Sequence, residues 1–166
     1  HDVSGTDSTA QYNTAYGLTA LDAVTTGDKN TVMGFDAGGA LTTGSANTII
    51  GENAGSNGAI TGDDNTVVGK IAGYALTSGH SNTLIGRHSA SALNTGARNT
   101  ALGYGALDSA ADGENDNTAI GYNALAGASL AGAEYNVAIG NYSLDAITSA
   151  DYCVAIGNNA GTAITT

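Results

Sequence analysis

The chain has no proline and no tryptophan, and only one phenylalanine, one methionine and one cysteine in 166 residues. A thick core built round aromatics is therefore excluded. Apolar residues reach 42%, mostly Ala and medium aliphatics, which suits a thin core of small side chains. A single thiol, Cys153, excludes an internal disulfide and carries little compartment information. Only four basic residues, Lys29, Lys70, Arg87 and Arg98, stand against 15 acidic ones, for a net charge of −11. Such a surface repels nucleic acid and anionic membranes and favours solubility. No apolar run approaches the roughly 20 residues that span a bilayer. Mean hydropathy is −0.03 and there is no long polar tract, so composition does not argue for disorder. Starting at His1 without Met or a signal-like apolar segment, the chain reads as a mature form or a fragment.

What is abundant is glycine, 25 residues of it, and it is periodic. Aligned on the Asn of "NT", units start at Asn13, Asn30, Asn47, Asn65, Asn82, Asn99, Asn117, Asn136 and, by substitution, Cys153, at intervals of 17 to 19 residues. These nine units make 1–166 a single repeat domain, with 1–12 as a partial first coil. Four residues after each start stands a glycine: Gly17, Gly34, Gly51, Gly69, Gly86, Gly103, Gly121, Gly140 and Gly157. Such regularity marks a corner that needs positive φ, or a backbone approach that admits no Cβ. The residue before it is always apolar (Tyr16, Met33, Ile50, Val68, Ile85, Leu102, Ile120, Ile139, Ile156) and is expected to point inward. Three residues after the glycine the side chain is small, from Ala20 to Ala160. A second apolar column follows, with Val24, Leu41, Ile60, Leu76, Leu93, Ile147 and Ile164, and then a polar turn.

Short alternating runs bounded by Gly, Asn, Asp and Ser are strand and turn chemistry. Mid-unit glycine argues against helices, and no leucine ladder supports leucine-rich repeats. One unit cannot bury its own apolar face, but stacked units can. The expectation is an all-β parallel β-solenoid (β-roll), one coil per unit, with at least two short strands in each. At about 4.8 Å between paired strands, eight steps make a rod roughly 38 Å long. Insertions at 56–59 and 126–130 are expected to bulge at one corner.

Stacked Asn amides at strand spacing can hydrogen-bond along the axis, so Asn13 to Asn136 read as a structural ladder. Thr follows Asn in seven units and isosteric Val137 and Val154 in the other two, a half-buried column. The next column is Ala15, Val32, Ile49, Val67, Leu84, Ala101, Ala119, Ala138 and Ala155. By strand alternation from an inward pre-glycine residue it is expected to face outward, as an apolar stripe for lateral self-association, most plausibly a trimer. The start and finish of the sequence, each part of a coil, suggest a slice of a longer repeat protein or a subunit stacking head to tail.

The unit "NTAIGYNAL", with "NVAIGNYSL" and "CVAIGNNAG" beside it, resembles the repeats of phage tail-fibre proteins. It is also similar to the "SVAIG"-type head repeats of trimeric autotransporter adhesins. The resemblance covers nearly the whole chain from about Asn13. It implies a left-handed, trimeric rod, extracellular, on a cell surface or a virion, and built for reach and adhesion. The coils here are longer than the adhesin-head repeat.

Sites for chemistry are sparse. Acidic residues gather before the Asn column at Asp28, Asp63, Asp64, Asp116 and Asp151, with Asp112 and Glu114 nearby. Calcium in these turns is one reading and a solvated acidic edge the other. Breaks at Ser45, Ala97 and Glu134 favour the solvated edge. His1, His80 and His88 have no zinc-spaced companions, and no nucleophile elbow or phosphate loop is present. No enzyme and no cofactor are expected. The varied positions after glycine (Phe35, Glu52, Lys70, Arg87, Tyr104, Tyr122, Asn141) suit a glycan or, more simply, a solvated face. Ice binding by the Thr column is disfavoured, because two residues on stands the large apolar column and no T-x-T plane forms. The reading is a non-enzymatic fibre or adhesin segment, whose partners are itself and a host-surface receptor or glycan. A head-to-tail polymerising filament is the competing class.

Overall fold

A computed structural model describes residues 9–110, 113–127 and 132–165. Each unit contributes one three-residue strand: β1 (Thr14–Tyr16), β2 (Thr31–Met33), β3 (Thr48–Ile50), β4 (Thr66–Val68), β5 (Thr83–Ile85), β6 (Thr100–Leu102), β7 (Thr118–Ile120), β8 (Val137–Ile139) and β9 (Val154–Ile156). All nine pair in parallel in one sheet, in chain order, and no helix occurs among the described residues. Register follows the repeat: Thr66 lies against Thr83, Val67 against Leu84 and Val68 against Ile85. The chain is a parallel β-solenoid with coils of about 17 residues. Among the described residues the expected second strand per coil is reduced to isolated bridging, as between Leu41 and Ile60. Asn57 and Ala59, in the 56–59 insertion, are exposed before Ile60 returns to the core, whereas 128–130 of the other insertion lie outside the described residues.

Sharp corners replace that second strand. The residue before each Asn, from Tyr12 to Tyr152, is left-handed, and so are the second and fourth residues after each glycine, such as His88 and Ala90. Left-handed backbone costs a non-glycine residue about 1–2 kcal/mol. It persists because the N–H it aims along the rod is taken by an adjoining coil, Arg98 N–H by His80 O of the preceding coil (3.1 Å) and Ala90 N–H by Ala106 O of the following one (2.8 Å). The nine glycines before those corners are tighter still, with φ from 128 to 142°. A Cβ on Gly103 would stand 2.4 Å from Gly121 O of the next coil, so backbone lies on backbone there. Both reasons for glycine hold at once.

The Asn column determines which way each strand faces. Asn30 to Asn136 are fully buried, and each side chain is bonded to its neighbours. Asn82 donates through Nδ2 to Asn65 Oδ1 (3.0 Å) and Gly96 O (2.8 Å). Its own Oδ1 accepts from the Asn99 N–H (2.9 Å) and Asn99 Nδ2 (3.1 Å). Side chains alternate along a strand. With Asn inside, the next residue must face out, the strand centre in and the pre-glycine residue out.

This reverses two expectations. The supposed self-association stripe of Val32, Ile49, Val67, Leu84, Ala101, Ala119, Ala138 and Ala155 is the core, all 0–7% exposed. The pre-glycine column is instead the outer one, with Tyr16, Met33, Leu102 and Ile156 among the exposed large apolar residues. Opposite the strand centre, inside the coil, stands the fourth residue after glycine, and the two sizes compensate. Val32 goes with Gly38, Ile49 with Gly55 and Val67 with Gly73; Ala101 goes with Leu107, Ala119 with Leu125 and Ala138 with Leu144. The fit is close: a Cβ on Gly73 would lie 3.3 Å from Val67 Cγ1 and 3.1 Å from Leu84 Cδ1. Small residues line the next column, where Ser89 and Ser143 replace Ala and satisfy their hydroxyls on Ala101 O and Ala155 O. Val24, Leu41, Ile60, Leu76, Leu93 and Ile147 close the core.

Candidate functional site

Among the described residues there is no ligand-sized cavity and no group of three His, Cys, Asp or Glu able to hold a metal. What the fold offers is surface. Along one side of the rod the sheet displays two parallel columns. One is Thr14 to Thr118 continued by Val137 and Val154; the other runs from Tyr16 to Ile156. Consecutive rungs are about 4.8 Å apart, and residues two apart on a strand about 6.8 Å. Every strand is three residues long and in register with the next, so both columns run unbroken along the face. Within its apolar column Ile50, Val68, Ile85, Ile120 and Ile139 are half-buried, shielded by one another along the rod, while Met33 and Leu102 are exposed. Thr and apolar residue thus share one face, a Thr-x-aliphatic plane rather than T-x-T.

Two further columns, exposed apart from the half-buried Asp116, form the rims. On one side stand the residues before Asn: Tyr12, Lys29, Ala46, Asp64, Ser81, Arg98, Asp116, Tyr135 and Tyr152. On the other stand those after glycine: Leu18, Phe35, Glu52, Lys70, Arg87, Tyr104, Tyr122, Asn141 and Asn158. Neighbouring rungs within a rim interact. Arg98 forms a forked pair with Asp116, both contacts at 2.7 Å, and Lys70 reaches Glu52 at 2.9 Å. Hydrogen bonding to Arg98 holds the Asp116 carboxyl below its usual range and raises Arg98 in turn. Arg87 sits over the Tyr104 ring at 5.8 Å. Tyr104 stacks on Tyr122 (5.3 Å, 12°), and Tyr122 meets Tyr142 edge-on at 5.2 Å. A side-chain hydrogen bond with Tyr142 pushes the Tyr122 phenol above its ordinary range. Because Tyr104 and Tyr122 cover each other's faces, they offer edges and hydroxyls rather than an open ring to a sugar.

The proposed calcium residues separate into individual structural roles. Asp28, Asp63 and Asp151 each cap a backbone N–H of the preceding coil, at Gln11 (2.6 Å), Ser45 (2.7 Å) and Glu134 (2.7 Å). Asp116 is occupied by Arg98, and Asp64 is an exposed left-handed corner. Ser45 and Asn115, which interrupt the acidic row, do the same capping, on Asp28 N–H (3.1 Å) and Ala97 N–H (2.9 Å). The shared property of the column is an acceptor, not a charge. Asp112 lies outside the described residues. Cys153 is half-buried in the Asn column, its N–H bonded to Asn136 Oδ1 at 2.9 Å. The His80 ring meets Ser81 Oγ at 3.3 Å, and His88 lies 6.0 Å from the Tyr104 ring.

No helix among the described residues is long and apolar enough to cross a membrane. Comparison with protein-family models, with curated proteins and with solved structures gives no significant match.

Proposed function

We propose that the chain is a non-enzymatic structural segment of a fibre or adhesin, and that copies associate laterally through the exposed sheet face. The observation that carries this reading is the unbroken apolar column Tyr16, Met33, Ile50, Val68, Ile85, Leu102, Ile120, Ile139, Ile156 on a sheet face about 38 Å long. Isolated in water it is a liability; against its own copy it is a seam. The rims support parallel, in-register copies related by an axis along the rod. In that arrangement the residue before Asn on one copy meets the residue after glycine on the other. The facing pairs are then Tyr12 with Leu18, Lys29 with Phe35, Asp64 with Lys70 and Arg98 with Tyr104, and no like charges meet. A homotrimer, the state that the resemblance to adhesin heads implies, has this symmetry. The reading carries with it an extracellular setting, on a cell surface or a virion.

The competing reading is a head-to-tail filament. Along the Asn ladder each coil accepts from the coil after it. A coil stacked on the ninth would meet the Cys153 thiol, a weak acceptor, where Asn99 meets an amide oxygen. That mismatch favours the lateral seam.

The test is light scattering and electron microscopy of the wild-type chain beside an I85D/I120D variant. Discrete lateral oligomers of short rods are expected, falling to monomers with unchanged β circular dichroism in the variant. A wild-type monomer at low micromolar concentration, or indefinite end-to-end filaments, sinks the proposal. Thermal hysteresis from a monomer would assign the Thr-x-aliphatic plane to ice instead.

A further inference from the structure

Tyr135 and Tyr152 occupy the same corner in successive coils and have the same left-handed backbone, φ 59° and 58°. The Tyr152 N–H donates to Glu134 O (3.2 Å), which ties the two corners together. Their rings consequently stack almost parallel, with centroids 5.0 Å apart and planes within 3°. Both are open to solvent in the single chain, at 45% and 75% exposure, and in the proposed lateral seam they would face Asn141 and Asn158 of the next copy rather than another tyrosine. Structural stability does not require two large, wet aromatics here: the same column holds Ala46, Ser81 and Asp64 in other coils.

We propose that this pair is an oxidative modification site, at which a one-electron oxidant couples Tyr135 and Tyr152 into a dityrosine that staples the ninth coil to the eighth. The oxidant class is a haem peroxidase fed with hydrogen peroxide. Each phenol gives up one electron and one proton to become a phenoxyl radical. The ring carbons beside the two oxygens then form one C–C bond. The hydrogens displaced from those carbons move to the oxygens, restoring both phenols. In total one peroxide and two tyrosines yield one dityrosine and two waters. Preorganisation does the selecting: two radicals held at stacking distance couple as an intramolecular pair, ahead of diffusional encounter between chains. The two exposed side chains need only pivot about their own torsions to bring the ring edges together. The staple would close the 17-residue span between the two corners and tie the β9 rung to β8, with which it pairs. Tyr104 and Tyr122, stacked at 5.3 Å, are a second pair of the same kind, while Tyr16 and Tyr74 have no ring partner among the described residues.

The experiment treats the intact chain with peroxidase and hydrogen peroxide and maps dityrosine by its fluorescence and by peptide mass spectrometry. A mixture of unlabelled and 15N-labelled chains separates coupling within a chain from coupling between chains. The expected product joins Tyr135 to Tyr152 in unmixed isotope, is lost in Y135F and in Y152F, and persists in Y104F. C153S is run in parallel so that reduction of the radical by the neighbouring thiol does not hide the product. Slower amide exchange in the ninth coil after treatment is the second expected reading. Mixed-isotope products, coupling at Tyr16 or Tyr74 in preference, or no dityrosine in either background overturns the proposal.

Discussion

If strand centre and facing residue share one fixed volume inside each coil, changing both together must cost less than the separate changes predict. The seventh coil offers the test, since Ala119 and Leu125 are both fully buried and the sixth and eighth coils use the same Ala and Leu pairing. Ala119→Val pushes two methyls against Leu125, an overpacking that costs about 1–3 kcal/mol. Leu125→Gly removes the leucine and leaves a void; truncations of this size cost about 2–5 kcal/mol. At φ 51° glycine recovers roughly 1 kcal/mol of that by relieving a left-handed leucine. The double variant A119V/L125G recreates the Val32 and Gly38 arrangement that the second coil already uses. Its cost should fall short of the sum of the singles by about 1–2 kcal/mol, within the range of coupled neighbours. Urea unfolding followed by far-UV circular dichroism measures this, provided the slope is unchanged across the set. Additivity within about 0.5 kcal/mol would show that the two columns do not share a volume, and the packing argument would be wrong.

Three further outcomes follow from the rod's geometry. Asn82→Ala strips the partners from Gly96 O and the Asn99 N–H inside the rod, at about 1–3 kcal/mol for each orphan. Asn13→Ala, at a half-buried site that water reaches, costs only about 1–2 kcal/mol in the same urea assay, and equal losses would contradict the ladder. Gly103→Ala drives a Cβ to 2.4 Å from Gly121 O and should prevent folding or lower the melting temperature severely. Gly157→Ala meets nothing closer than 3.8 Å, so it bears the backbone strain alone, about 1–3 kcal/mol, and a melt in which the two variants match would refute the stacking. Finally, Arg98 depresses the Asp116 carboxyl. The ion pair therefore adds stability above the ordinary carboxylate range, near pH 4, and loses it as pH falls through the lowered value. The melting gap between wild type and D116N should stay constant from neutrality down to that range and close below it; closure at higher pH would reverse the assignment.

Most of the architecture is legible in the sequence because each coil must repeat the same backbone. Glycine at every fourth residue after Asn, and Asn itself in eight coils, mark the two places where no substitute fits: a corner with no room for Cβ, and an interior amide bonded on both sides. The non-glycine corners left no comparable trace. Tyr, Lys, Ala, Asp, Ser and Arg all occupy the left-handed position before Asn, since any side chain there points into water and only the backbone is constrained.

The inside and outside of the strand are harder, because both of its alternate columns are apolar. Hydrophobicity favours the column of Ile and Leu for the core, and that choice is wrong. The deciding signal lies in pairs of columns. Down the strand centre the sequence runs Val, Ile, Val, Leu and then Ala four times from Val32 to Ala155; down the fourth position after glycine it runs Gly, Gly, Gly, Ala and then Leu three times from Gly38 to Leu144. Large faces small from the second to the fifth coil and small faces large from the sixth to the eighth, as in the first (Ala15 with Leu21), while the ninth pairs Ala155 with Gly161. Such reciprocity needs a shared, bounded space. The pre-glycine column shows none of it: Tyr16, Met33, Ile50, Val68, Ile85 and Leu102 follow one another with no partner column changing to suit. A column whose sizes are uncompensated within the chain either faces water or meets a surface outside the chain. This one is apolar in all nine coils, and the proposed lateral seam rests on that contrast.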